Sequence, residues 1–542
     1  MSLTVLGTFL WTYKWWVLGV LAYFLFRGNT PIGTPMRRKP GTQVAPSEDW
    51  YIESKPTSDT PVHSCSFVEF DGRGDYVDFE QHLDAWHRVR DLANKQPLLL
   101  VTYCHGWKNN SQSSDVVRFV DFLGRLASTQ AVSGYRVHGV YLGWRGNLYR
   151  PYIVKDGETH SYERTSERFG GPVVSSKWSR RFVWTALIQE NLSYWSRRRA
   201  AEDKVSSVPM ARTIYTCASL VKSIDQQIGR SMENLTASRV LVMGHSFGGL
   251  MLERTLNSTC LDPLIDEWAW FRKATDDQVP SQAAHANPLP LDFVLFVNSA
   301  APSVYAKAMR DFLAAHQKAL VRAKARAAFT PVFISLTSAA DSATRYAHPA
   351  ANLLSRFYPS LRHKYTQLIK ISGTCDVNQS WFFRRTPGHQ PLLIDHWIEP
   401  ADVPPDSSAG RTISPTSHST VLEENLTLQT PTPLHFSAHA AGLNGPVHRW
   451  KLTLQASEAD RNWANKFGPL VPSQCSYWLI RCDKRIIRDH NDVWSDTAME
   501  VYAALYRLVE WARHPHNPNS NQVLGNYWEG KSTETGSVGK SA

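Results

Sequence analysis

The chain is predicted to fold as an α/β protein, with a mainly parallel, doubly wound sheet flanked by helices. Three observations predict this. The strongest apolar stretches are unbroken runs rather than alternating patterns, as in strands buried on both faces. Stretches with helical spacing separate those runs. Of the 542 residues, 42% are hydrophobic and 20% charged, which suits a sizeable core. The length allows one large domain or two to three ordinary ones.

The elements follow in order. Residues 3–26, LTVLGTFLWTYKWWVLGVLAYFLF, carry Lys14 as their one charge and are long enough to cross a bilayer. Arg27, Arg37, Arg38 and Lys39 lie on the C-terminal flank, which by the positive-inside rule stays cytoplasmic. Residues 1–27 are therefore expected to be a single-pass membrane anchor, with the body on the cytoplasmic side. An interfacial segment or a cleaved signal is the alternative. Residues 28–60, rich in Pro, Gly, Thr and Ser, read as a spacer.

The body spans 61–513. PLLLVTYCHGW (97–107) reads as a buried strand ending at glycine. The next stretch, 114–128, is helical, with Val117, Val120, Phe122, Leu123 and Leu126 able to share a face. YRVHGVYLGWRG (135–146) is a second strand, and 210–228 a helix. RVLVMGHS (239–246) is a third strand, followed at once by a helix from Phe247. Residues 291–302 and 331–341 are further strands, with a basic amphipathic helix from Ala306 to Ala327 between them. SYWLIRCDKRII (476–487) is the last strand, and 497–513 the closing helix. One region breaks the alternation. Residues 376–450 read as an insertion before the last strand, and 399–433 within it are dense in Pro, Ser and Thr. The polar stretch 514–542 reads as a flexible tail.

Composition narrows the function classes. The net charge is +11, yet the basic residues are scattered and no nucleic-acid-binding signature appears, so no nucleic-acid partner is expected. Local concentrations at 196–204 and 307–326 read as solvated helix faces, with contact to anionic lipid as the alternative. The seven cysteines, Cys65, Cys104, Cys217, Cys260, Cys375, Cys475 and Cys482, form no C-x-x-C. An odd count at wide spacing leans towards free thiols in a reducing compartment. There is no H-E-x-x-H, Walker loop or dinucleotide glycine pattern, so no metal or organic cofactor is expected.

The chemistry centres on Gly244-His245-Ser246-Phe247-Gly248. A strand that turns at once into a helix forces its pivot residue into strained backbone geometry. Bulky neighbours would clash, so glycines flank the pivot at a distance of two. Such a turn lifts Ser246 Oγ above the carboxyl edge of the sheet, beside a helix N-terminus that favours developing negative charge.

With this elbow and the CHGWKNN loop (104–110), the chain resembles the serine esterases and lipases of the α/β-hydrolase superfamily. The likeness is to bacterial members with an HGW loop and an N-terminal hydrophobic segment. It covers about 98–511, with the insertion set aside. The resemblance implies an oxyanion hole from the amides of Phe247 and Trp107, the latter carried on the His105-Gly106 turn. It implies an acid after a later strand. Asp341 stands there, with Asp376 as rival, while Asn298 cannot carry the charge. It implies a histidine base between the last strand and the closing helix. His490 is there; His389, His396, His435, His439 and His448 compete from in or near the insertion. The order Ser246, Asp341, His490 matches the superfamily's.

The implied reaction is attack of Ser246 on a carboxylic ester, lipid esters included, through an acyl-enzyme. The 20 Trp, 20 Tyr and 22 Phe include Trp107, Trp144, Tyr149, Trp195, Trp381, Phe382 and Phe383 near the site loops. They favour an apolar acyl pocket, with core filling as the alternative. Thioesters and amides remain open. The competing function is a membrane-anchored scaffold that keeps the hydrolase fold without turnover.

Overall fold

The computed structural model describes residues 37, 49–56, 61–128, 134–146, 194–206, 208–230, 237–257, 290–310, 313, 332–354, 382, 384–391, 393–400, 434–437, 449–454 and 476–513. Among these residues, eleven strands make one mixed sheet. In chain order they are β1 (Tyr51–Glu53), β2 (His63–Phe70), β3 (Leu98–Cys104), β4 (Arg136–Trp144), β5 (Arg239–His245), β6 (Phe293–Val297), β7 (Phe333–Ser338), β8 (His396–Pro400), β9 (Leu434–Ser437), β10 (Arg449–Leu454) and β11 (Tyr477–Cys482). Their spatial order is β1-β2-β4-β3-β5-β6-β7-β11-β8-β10-β9. Every neighbouring pair from β2 to β8 in that order is parallel. Antiparallel pairs flank this centre, β1 on β2 at one edge and β8-β10-β9 at the other.

The unbroken apolar runs have a direct cause. In β5, Val240 and Val242 point into one core while Leu241 and Met243 point into the other. In β3, Leu98 and Leu100 are separated in the same way from Leu99 and Val101. Both faces are covered, so both phases of the alternation are mostly apolar. Each fully buried Val or Leu contributes roughly 1.5–3 kcal/mol. On one face pack α1 (Phe79–Lys95), α4 (Val208–Ile228) and α5 (Phe247–Asn257); α3 (Tyr194–Ala200) lies near the start of α4. On the other pack α2 (Ser114–Ser128) and α7 (Asp496–Arg513). A short α6 (His348–Leu354) follows β7.

Several sequence expectations need correction. The insertion at 376–450 is not set apart from the sheet: β8, β9 and the start of β10 extend it beyond β11. These strands are short and mixed in polarity, and they form the antiparallel end of the sheet, with β9 at its edge. The buried face of α2 is rotated from the expected one. Val117 is 67% exposed, and Asp115, Val116 and Phe119 turn inward. Asp115 accepts hydrogen bonds from Trp494 Nε1 at 2.8 Å and Tyr141 Oη at 3.0 Å, so a carboxylate belongs to the face that apolar spacing alone assigns to solvent. The basic run at 196–204 is not uniformly solvated either. Arg197 and Arg198 are buried, and Arg197 Nη1 donates to the Arg145 carbonyl at 3.2 Å.

The segment 3–26, the tail from 514, most of 307–326 and the Pro-, Ser- and Thr-rich 401–433 lie outside the described residues. Among the described residues, no helix is long and apolar enough to cross a membrane. Cys65, Cys104, Cys217 and Cys482 are buried free thiols; Cys260, Cys375 and Cys475 lie outside the described residues.

Candidate active site

Adjacent parallel strands deliver the site at their carboxyl ends. His105 follows β3, Ser246 follows β5, Asn298 follows β6, Asp341 lies past β7, and His490 lies on the loop past β11. This is the edge of an α/β sheet where ligands bind.

Ser246 has φ 55°, in the left-handed region that is costly for a residue with a side chain. The surrounding packing holds it there. Its amide donates to Val297 O at 3.1 Å, and its carbonyl accepts from Ala300 N and Leu250 N. The glycines on either side are required by space. A Cβ on Gly248 would lie 2.0 Å from Cys104 O, and one on Gly244 would lie 2.8 Å from the Gly248 backbone. Gly106 is equally constrained, since its Cβ would lie 2.9 Å from Ser246 Cβ. The HGW loop therefore rests directly against the serine.

His105 explains the first letter of that loop. Its Nε2 accepts from the Trp144 amide at 3.1 Å, so Nδ1 carries the proton and donates to Gly106 O at 2.9 Å. Its carbonyl accepts from Trp144 Nε1 at 2.9 Å. Burial holds this imidazole down, to about 4, so it is a neutral structural tie between β3 and β4. Lys108 N bonds Gly146 O and closes the loop on the other side. The Phe247 amide opens α5, where no preceding helical carbonyl can accept it. The Phe247 ring is buried among Tyr194 at 5.3 Å, Trp107 at 6.1 Å and Trp144 at 6.5 Å.

His490 joins the serine to the acid. Its Nε2 is 2.8 Å from Ser246 Oγ, and its Nδ1 is 3.0 Å from Asp341 Oδ2. Asp341 is fully buried. Thr344 N donates to its Oδ1 at 3.0 Å, and Thr344 Oγ1 to its Oδ2 at 2.5 Å. Burial pushes the Asp341 carboxyl up. The charge and hydrogen bond of His490, with the two bonds from Thr344, outweigh that and hold it at about 2. The carboxylate thus stays ionised next to the imidazole. A hydroxyl, an imidazole and a buried carboxylate so linked can remove the hydroxyl proton and return it to a leaving group.

The three residues chosen from the sequence are brought together. Asp376 lies outside the described residues, as do Tyr149, Trp381, Phe383, His439, His448 and the side chain of His435. His389 stands behind the acid, its Nε2 3.1 Å from Thr344 Oγ1, and His396 pairs with Asp395 at 2.7 Å.

Sequence reasoning missed the supporting roles of three side chains. Thr344 is one; its Asp-x-x-Thr spacing, in which a carboxylate accepts from the amide three residues on, is a readable signal. Asn298 is the second. Its φ is 45°, and its Nδ2 donates to the carbonyls of Asp489 at 3.3 Å and His490 at 3.2 Å. Its Oδ1 accepts from Ser338 N at 2.9 Å, at the root of the Asp341 turn. His245 is the third, with Nε2 donating to the His490 carbonyl at 2.9 Å. Burial, then His490, pushes its imidazole down to about 3. No local pattern reveals these last two roles.

Among the described residues, no group of three or more His, Cys, Asp or Glu side chains could hold a metal ion. Comparison with known protein families, curated proteins and solved structures finds no match to this chain.

Proposed function

We propose that the chain is a serine hydrolase of the α/β-hydrolase type, cleaving carboxylic esters through an acyl-enzyme. The observation that carries this reading is the continuous proton path from Ser246 Oγ through His490 to Asp341, at 2.8 and 3.0 Å. Ser246 Oγ attacks the ester carbonyl while His490 Nε2 takes its proton. The carbonyl oxygen becomes an oxyanion, met by the amides of Phe247 and Trp107. Each such donor is worth about 3 kcal/mol in the transition state. His490 returns the proton to the leaving alcohol. A water then repeats the sequence on the acyl-serine and restores the hydroxyl. Asp341 keeps the imidazole oriented and balances its charge.

The aromatic group around Phe247 supports an apolar acyl substituent, which extends the reading to lipid esters. The apolar segment 3–26 is part of the same proposal, as a single-pass anchor with the catalytic domain on the cytoplasmic side. Retention of the full chain in membranes through a carbonate wash checks it; release into the supernatant refutes the anchor and leaves the chemistry untouched.

The test of the chemistry is p-nitrophenyl ester hydrolysis, from acetyl to palmitoyl, by the full chain and its Ser246→Ala variant. Activity that falls by about 10⁴-fold or more in the variant is the expected result. A fluorophosphonate probe should label the wild type alone. Equal silence of both proteins, with no labelling, would overturn the reading.

A further inference from the structure

Arg37 is the first described residue, and it is pinned at the carboxyl edge of the sheet. It is buried and held on several sides. Its amide donates to Glu69 Oε2 at 3.0 Å, its Nε donates to Ser111 O at 2.6 Å, and its carbonyl accepts from Trp50 Nε1 at 3.1 Å. Its guanidinium lies 3.9 Å from the centre of the Phe67 ring. Glu69 is the next-to-last residue of β2, and Ser111 belongs to the loop that carries His105 and Trp107 past β3. Ser111 Oγ donates to Glu69 Oε1, which ties the two together. β2 stands three strands from β5, so about 14 Å along this edge separates the pin from the Ser246 turn.

The same edge carries most of the exposed apolar side chains. Among the described residues, Phe79, Leu83, Val117, Val208, Tyr346 and Ile228 are large hydrophobics with exposures of 40% to 70%. α1 starts from the carboxyl end of β2 and α2 from that of β3, so Phe79, Leu83 and Val117, in their opening turns, lie at this edge. Val208 opens α4, whose far end leads to the amino end of β5. Tyr76, in the loop after β2, fixes that opening beside Phe79: its Oη donates to Pro209 O at 2.9 Å, and its ring lies 5.4 Å from that of Phe79. Tyr346 follows β7 at the same edge, and Ile228 alone, the last residue of α4, lies at the opposite one. Gln81, between Phe79 and Leu83, donates to Glu69 Oε2, the oxygen that also accepts from the Arg37 amide. The pin and the apolar residues of α1 are therefore neighbours. Apolar side chains gathered on one edge mark a contact surface.

Arg37 follows Phe26, the end of the apolar segment, by eleven residues. A chain of that length reaches about 40 Å at full extension and spans about 18 Å on average when flexible. We propose that the carboxyl edge of the sheet lies against the bilayer, with Phe79, Leu83, Val117 and Val208 entering its interface, so that Ser246 takes lipid esters from the membrane that holds the chain. The inference rests on the anchor and the ester chemistry proposed above. Attachment at this edge keeps the catalytic turn beside the lipid surface, whereas attachment at the amino edge would hold it a strand length away, about 23 Å for β3. α1 and α4 lie on one face of the sheet and α2 on the other, so the apolar residues flank the edge from both sides. Asp75, Asp78 and Glu80 border Phe79 in the chain, so the contact is with the apolar part of the interface rather than with anionic headgroups.

Photo-cross-linking of the full chain in phosphatidylcholine vesicles tests this. The photoreactive p-benzoylphenylalanine replaces Val208, Val117 or, at the opposite edge, Ile228; all three side chains are exposed, so the fold tolerates the replacement. The expected result is lipid cross-linking at least fivefold stronger from 208 and 117 than from 228. Ser246→Ala should give the same pattern, so the outcome does not depend on turnover. Vesicles carrying p-nitrophenyl palmitate supply a second readout. Phe79→Ser combined with Val208→Ser should slow palmitate hydrolysis at least fivefold relative to that of soluble p-nitrophenyl acetate, and Ile228→Ser should leave that ratio unchanged. A chain that fails to float with the vesicles would refute the anchor and this inference with it. Flotation with equal cross-linking at the two edges, or none at 208 and 117, would overturn the orientation alone. Cross-linking as expected with no ester hydrolysis would overturn the delivery of esters to Ser246 and leave the orientation standing.

Discussion

Two halves of the site reach similar precision by different means. The elbow around Ser246 is held by backbone. Glycines at 106, 244 and 248 allow contacts that no side chain could survive, and the left-handed Ser246 is fixed by amide and carbonyl bonds. The loop carrying His490 is held by side chains from elsewhere in the chain. Asn298 and His245 both donate to its His490 carbonyl, and Ser338 Oγ donates to Ile487 O at 2.6 Å. The first half depends on atoms that must be missing, the second on atoms that must be present. Steric exclusion is steep and unforgiving, whereas a hydrogen-bond clamp loosens by degrees.

Substitutions should separate the two halves in that order. Gly248→Ala is expected to have the largest effect, because its Cβ would enter the Cys104 carbonyl and backbone cannot yield. A loss of about 3 kcal/mol or more in urea unfolding should accompany near-complete loss of ester hydrolysis. Wild-type behaviour would break the contrast.

Asn298→Ala should instead leave a folded protein whose kcat falls about 100-fold with KM little changed, since only the histidine loop is misplaced. Asn298→Asp should not rescue it, because a carboxylate cannot donate to the two carbonyls. A change confined to KM would show that Asn298 acts on substrate rather than on His490.

Thr344→Val should be milder still. It removes one hydrogen bond to a charged oxygen while the Thr344 amide bond remains, and about a tenfold fall in kcat is expected. Stopped-flow measurement of acylation and deacylation should show both steps slowed alike, because the proposed mechanism uses Asp341 in both.

The smallest expected effect is a slope. His105 takes up a proton near 6.5 when unfolded, but burial keeps it neutral in the fold until about 4. Between those values the unfolded chain holds more protons, so stability falls as pH falls. His105→Gln should flatten that dependence by about 1.4 kcal/mol per pH unit at most between pH 6 and 5. Urea midpoints at the two pH values check it; an unchanged slope would show that His105 is charged in the fold.

This contrast also marks how much was legible beforehand. The elbow could be read because its requirements are local. Glycine, serine and glycine at fixed spacing between an apolar run and a helix state a backbone geometry directly. Most of the parallel centre of the sheet was legible for a similar reason, since strands covered on both faces are mostly apolar in both phases of the alternation. Asp341 and His490 could be placed only as strand-end residues in the right order. β2 escaped notice because HSCSFVEF is half polar, yet all of it is buried. Ser64 Oγ lies 2.9 Å from His138 Nδ1, and Glu69 accepts from Gln81 Nε2 at 2.9 Å. Such polar positions look like surface until their partners are known.

The sequence by itself determined the fold class, the alternation of elements and the strained serine, because these follow from periodicity and from the sterics of adjacent residues. Only the tertiary structure decided which helix faces turn inward, that part of the apparent insertion extends the sheet, and which side chains hold His490. Those outcomes depend on hydrogen bonds and charges between residues far apart in the chain, often more than a hundred positions, as from Asn298 to His490. No local pattern encodes such pairings; they exist only once the strands have set their carboxyl ends side by side.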